Sequence, residues 1–143
     1  MEATIALRLP RDAASVPLIR QMFDGTLRSL GVEPQIRDDI ELMLTEACAN
    51  VVRHAGPSDE YMVSAGVYDK LCVIRVIDMG GGFDPPMFSE AAPGAESGRG
   101  IQIMRALADD IRFTNRHEDG SVVCLEKHLR FAPGAAGPHF MAN

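Results

Sequence analysis

The twenty residues from 36 to 55, IRDDIELMLTEACANVVRHA, constrain this chain more than any other stretch. Ile36, Ile40, Met43, Leu44, Ala47, Cys48 and Val51 recur at helical spacing and form one apolar stripe. Gly56 and Pro57 then stop the helix. A helix of this kind buries its stripe against a second layer, so the rest of the chain has to supply one.

Strand patterns supply it. ATIALRLP (3 to 10) alternates apolar and polar residues and ends at Pro10, as a strand at a sheet edge would. YMVSAGV (61 to 67) and LCVIRVI (71 to 77) are rich in β-branched and aromatic residues, and YDK between them reads as a hairpin connection. IRFTN, a turn at HEDG, and SVVCLEKHL (121 to 129) give two more strands. Asp12 is placed to cap a helix over about 13 to 30, with Val16, Ile19, Met22, Phe23 and Leu27 on one side and Gly31 past its end. Residues 78 to 100 are crowded with glycine and proline and read as a long loop, after which helical pattern resumes in IQIMRALADD (101 to 110).

The order is strand, two helices, two strands, loop, helix, two strands. Helices and strands do not alternate strictly, which argues against a doubly wound parallel sheet. The expected fold is α+β, a two-layer α/β sandwich with a mixed, mostly antiparallel sheet and its helices on one face. One domain over 1 to 130 suits a chain of 143 residues, and the Pro, Gly and Ala-rich segment 131 to 143 reads as a flexible tail.

A net charge of −6 disfavours non-specific binding to nucleic acid or an anionic membrane surface. MEATIALRLP lacks a signal peptide's cationic start and apolar run, and no apolar stretch approaches the ~20 residues of a membrane span, so a cytoplasmic protein is expected. Cys48, Cys72 and Cys124 sit singly in apolar segments; the odd count and spacing read as small buried hydrophobes rather than disulfides.

Three constellations carry chemistry. Glu46, Asn50 and His54 are linked by i, i+4 steps, with Arg53 three residues beyond Asn50. The row borders the apolar stripe and so faces a crevice, where a carboxylate acts as a base and an amide oxygen ligates a hard cation. Taken alone it also fits a solvated flank in which Glu46 pairs with Arg53 or Asn50. VIDMGGGFDPP (76 to 86) ends a strand in Asp78 and follows it with glycines that let a ligand approach the backbone. Pro85 stands where a dinucleotide fingerprint needs its third glycine. In SGRGIQIM (97 to 104), Gly98, Arg99 and Gly100 precede a helix whose first N–H groups form an anion site. No GxxxxGK[ST] occurs.

ExxxNxxxH (46 to 54), DxGxG (78 to 82) and GxG (98 to 100), in this order, resemble the boxes of the histidine-kinase-like ATPase superfamily shared by gyrase, heat-shock chaperones and MutL. The EACANVVRHA helix, the short lid and the final GSVVCLEK strand are similar to its anti-sigma-factor serine kinases.

The resemblance implies an ATP- and Mg²⁺-dependent protein serine kinase. In it Glu46 is the general base, Asn50 the Mg²⁺ ligand, and Asp78 the acceptor of the adenine amino group. Gly80 and Gly82 make room for the base, while Gly98, Arg99 and Gly100 face the phosphates. Arg99 stands where the box is commonly apolar, so it either reaches the γ-phosphate or faces solvent. Arg53 and His54 support the site from the same stripe. The implied partners are a sigma factor, which is sequestered, and a STAS-type anti-anti-sigma protein phosphorylated on serine; a homodimer is also implied, with no direct nucleic-acid contact. The alternative is a nucleotide-dependent module that sequesters a partner without kinase activity.

Overall fold

A computed structural model describes residues 2–54, 60–78, 96–115 and 121–141. Its elements run β1 (Glu2–Pro10), α1 (Ser15–Leu30), α2 (Pro34–His54), β2 (Glu60–Tyr68), β3 (Leu71–Asp78), α3 (Glu96–Leu107), β4 (Asp110–Asn115), β5 (Ser121–His128) and α4 (Ala136–Met141). The strands form one sheet in the order β1-β2-β3-β5-β4, and all four neighbouring pairs are antiparallel. The expected mixed sheet is therefore antiparallel throughout.

Alternate strand residues face the helices. Val63 and Val67 of β2, Cys72, Ile74 and Val76 of β3, and Val123 and Leu125 of β5 meet Ile19, Phe23, Ile40, Met43, Leu44 and Val51 in one core cluster. On the other face Arg75 is exposed, and the ring of Tyr68 folds over Gly66, where an added Cβ would lie 2.6 Å from it. The layering is the expected two-layer sandwich, with the long helix α2 packed between α1 and α3 and over β3.

Local chemistry explains the element ends. Gly31 takes φ 84° after α1, its N–H bonding to Arg28 O, while the Val32 N–H reaches back to Leu27 O at 3.0 Å. That pair of bonds is a Schellman closure, and the left-handed residue in it suits glycine. Pro34 opens α2, where its missing N–H costs nothing. Asp69, at φ 57°, turns the two-residue hairpin between β2 and β3. The cap of α1 differs from expectation: Ala14 holds the N-cap position, and Asp12, two residues earlier, accepts the Ala14 N–H at 2.8 Å.

Two further differences change the outline. α3 begins at Glu96 rather than 101, so Gly98, Arg99 and Gly100 lie inside the helix instead of before it. Residues 131–141 of the segment expected to be a flexible tail are folded: Phe131 bridges to Val32, Ala132 N–H bonds to Gly31 O, and α4 packs on α1. Gly137 makes that approach possible, since a Cβ there would meet Leu30 O at 2.5 Å.

Candidate functional site

The polar row on α2 sits where the stripe geometry puts it. Asn50 is 1% exposed, Glu46 is half-buried and Arg53 is exposed, so the row descends from solvent into the layer between α2 and its neighbours. Arg53 Nη2 donates to Asn50 Oδ1 at 2.9 Å. The amide nitrogen Nδ2 of Asn50, however, is buried with no hydrogen-bond partner among the described residues. Leaving such a group unmatched costs about 1–3 kcal/mol, and a natural core rarely keeps one without a use for it.

Glu46 reaches across to α3. An ideal Cβ on Gly100 would stand 2.8 Å from Glu46 Oε2, which means the carboxylate already occupies the space beside that glycine. The first and third motifs are thus in contact. Ile101 and Met104, buried on the same helix, hold α3 against α2.

Asp78 is the last residue of β3 and shares the helix-facing side with Cys72, Ile74 and Val76, which makes it fully buried. Its cross-strand partner is Tyr61, also fully buried. A carboxylate at the floor of the layer, at a strand end, is suited to accept a hydrogen bond from an exocyclic amine. Gly80, Gly82 and residues 83–95 of the expected lid (83 to 97) lie outside the described residues, as does the side chain of His54, while 96 and 97 open α3.

Behind this row lies a buried network that motif reading did not reveal. Tyr61 OH and Ser15 Oγ share a hydrogen bond of 2.5 Å, and Cys48 of α2 bonds to Tyr61 as well. Burial pushes the Cys48 thiol up to about 12, an effect the Tyr61 bond opposes. Burial, reinforced by Cys48, likewise pushes the Tyr61 phenol up to about 12. Both groups stay neutral and form a rigid back wall. Arg11, from the β1–α1 connection, donates to Val51 O at 3.4 Å, one of the last carbonyls of α2. No spacing in the sequence signals either contact, because each joins residues 40 or more positions apart.

A buried amide, a half-buried carboxylate and a strand-end carboxylate beneath two packed helices have the makings of a nucleotide site of the histidine-kinase type. Residues 9–127 match the family described as Histidine kinase-like ATPase domain, and the chain belongs to that family. Relatives named serine-protein kinases bear out the resemblance read from the motifs. Serine-protein kinase RsbW of Bacillus cereus and that of Bacillus anthracis are each 28% identical to it, covering 88% of this chain and 85% of the relative. A crystal structure of the RsbU and RsbW domains of a Mycobacterium tuberculosis protein superposes with a TM-score of 0.70 at 20% identity. That match covers 91% of this chain but 33% of the larger one, and it speaks for the fold.

Among the described residues no three His, Cys, Asp or Glu side chains converge on a metal position. Mg²⁺ commonly takes one or two protein ligands and keeps several waters, and a single amide oxygen fits that pattern. Nor is any described helix long and apolar enough to cross a membrane.

Proposed function

We propose that this chain is an ATP-dependent protein serine kinase of the anti-sigma type, which sequesters a sigma factor and phosphorylates a serine on a STAS-type anti-anti-sigma partner. The observation that carries the reading is the placement of Glu46: on the polar edge of α2, half-buried, and seated against Gly100 of the glycine box. Relatives named serine-protein kinases lend support at the level of the whole domain.

Each residue then has one task. Asp78 accepts a hydrogen bond from the adenine amine, and Asn50 offers its amide oxygen to Mg²⁺. The ion, when bound, supplies charge neutralisation for the phosphates. Glu46 takes the proton of the acceptor serine as that oxygen bonds to the γ-phosphorus and ADP departs. Phosphoryl transfer asks mainly for positioning and electrostatics, so a carboxylate held by two packed helices suits it. Gly98 and Arg99 lie in the first turn and a half of α3, at a helix N-terminus, the end that favours phosphate.

One observation favours a second reading, a nucleotide-gated clamp without transfer. Arg53 already occupies one lone pair of Asn50 Oδ1, and its guanidinium sets a positive charge beside the proposed ion position. The test is a pull-down from the native host with and without Mg-ATP, analysed by mass spectrometry for partners and phosphoserine, alongside Glu46→Gln. A general base contributes about 10²–10⁴-fold, so phosphoserine formation should fall by that factor in the variant. Equal transfer by Glu46→Gln removes Glu46 from the reaction; captured partners without phosphoserine establish the clamp.

A further inference from the structure

Gly100 is glycine for a reason the backbone does not supply. It lies inside α3, and the positive φ values among the described glycines belong to Gly31 and Gly134. Any residue can adopt its conformation, and glycine within a helix is destabilising relative to alanine. What singles out the position is its neighbour. The direction in which a side chain would leave Gly100 points at Glu46, with Oε2 2.8 Å from an ideal Cβ and Glu46 Cβ and Cδ each at 3.7 Å. The last two are ordinary contacts. The first is closer than carbon and oxygen approach, and the group in the way is the mobile end of a side chain.

We infer that Gly100 is a positioning residue: its missing side chain forms the seat in which α3 holds the Glu46 carboxylate. This rests on the proposed role of Glu46 as base and adds that the second glycine of the box serves α2, whatever the first does toward phosphate. The seat is built from both sides. Ile101 and Met104 press α3 onto α2, and Ala47 and Cys48, next after Glu46 on α2, are buried, so the backbone on both sides of the seat is held by packing.

The consequence separates position from stability. In Gly100→Ala the added methyl displaces the carboxylate rather than the helix, because rotating a terminal carboxylate is easier than parting two packed helices. A misplacement of about 1 Å at a reacting group costs on the order of 10²-fold in rate. Gly100→Ala should therefore lower the rate of serine phosphorylation about 10²-fold, leave KM for ATP unchanged, and keep the thermal midpoint at or above that of the wild type. A glycine needed only for folding would lower the midpoint instead.

Two controls complete the experiment. In the Glu46→Asp background the carboxylate is one methylene shorter and clears the new methyl, so adding Gly100→Ala there should cost less than it does in the wild type. The ¹³C shift of the Glu46 carboxylate in the nucleotide-free protein should move in Gly100→Ala, a readout that needs no activity. An unmoved Glu46 resonance, or a full rate at unchanged stability, overturns the seat. Absence of transfer by the wild type overturns the kinase reading, and the seat is then decided by the resonance alone.

Discussion

The two halves of α2 treat their polar groups differently. In the first half every charge that leaves solvent finds a partner: Arg37 Nη1 meets Asp24 Oδ1 at 3.1 Å, and Asp39 Oδ2 meets Lys127 Nζ at 3.3 Å. Lys127 also donates to Leu107 O at 2.5 Å, so one ammonium from β5 ties α2 to the C-terminal end of α3, where a positive charge is favoured. In the second half, among the described residues, Asn50 keeps an unmatched buried nitrogen, and Glu46 lies against a glycine. Both halves rest on the same apolar stripe. The stripe builds the helix along its whole length, while the proposed site lies in the half where hydrogen bonding among the described residues is incomplete.

The largest effect that sharpens this contrast comes from alkali. Behind the second half, Cys48 and Tyr61 are raised to about 12, as is Cys72 under β3 through burial. Each folded value lies above the ordinary one of 9 for the thiols and 10 for the phenol, so the unfolded chain releases these protons first. Stability is then fully present below pH 9 and is lost between 9 and 12, at up to about 1.4 kcal/mol per pH unit for each group. Urea midpoints measured from pH 8 to 11 should fall with that steepening slope, and Cys48→Ala should flatten it. An unchanged slope in Cys48→Ala would deny the wall its neutral thiol.

A smaller effect tests the first half. Asp39→Ala leaves the Lys127 ammonium, 12% exposed, with its carbonyl partner only. Losing one partner of a largely buried charged group costs about 1–3 kcal/mol, toward the low end because Asp39 itself is 27% exposed. Chemical denaturation should show that loss, while the extra stabilisation given by saturating nucleotide stays as in the wild type. A nucleotide response that falls with Asp39→Ala would erase the boundary between the halves.

Legibility in the sequence follows the same division. The stripe of α2, the alternation of the strands and the placing of Glu46, Asn50 and Asp78 were readable because periodicity is local and burial enforces it. The start of α3 was not, since ESGRG carries two glycines that penalise a helix; packing on α2 outweighs the penalty. The docked segment around α4 was missed for a related reason. Its Pro, Gly and Ala content reads as loose chain, yet small residues are what allow Ala135 to sit against Gly31 and Gly137 against Leu30. The Ser15–Tyr61–Cys48 network had no signal, because it is created by the fold.

The smallest effect is the most discriminating, because it is expected to be near zero where burial ordinarily makes it large. Replacing a polar residue that is 1% exposed ordinarily destabilises a protein when its bonds are complete. Asn50→Leu removes a buried nitrogen that has no partner among the described residues, worth about 1–3 kcal/mol of desolvation. Against that stands one charge-assisted hydrogen bond from Arg53, about 1.5–3 kcal/mol, toward the low end because its donor lies on an exposed residue. Leucine has the same branching and number of side-chain heavy atoms as asparagine but bulkier ends, so its methyl groups take back part of that gain in so tightly packed a place. The nucleotide-free variant should therefore stay within about 1 kcal/mol of the wild type in urea unfolding. Its stabilisation by Mg-ATP should vanish, since a ligand stabilises only to the extent that it binds the folded state. Loss of stability with the Mg-ATP response intact would make Asn50 a structural residue, and the two halves of α2 would then differ in nothing but position.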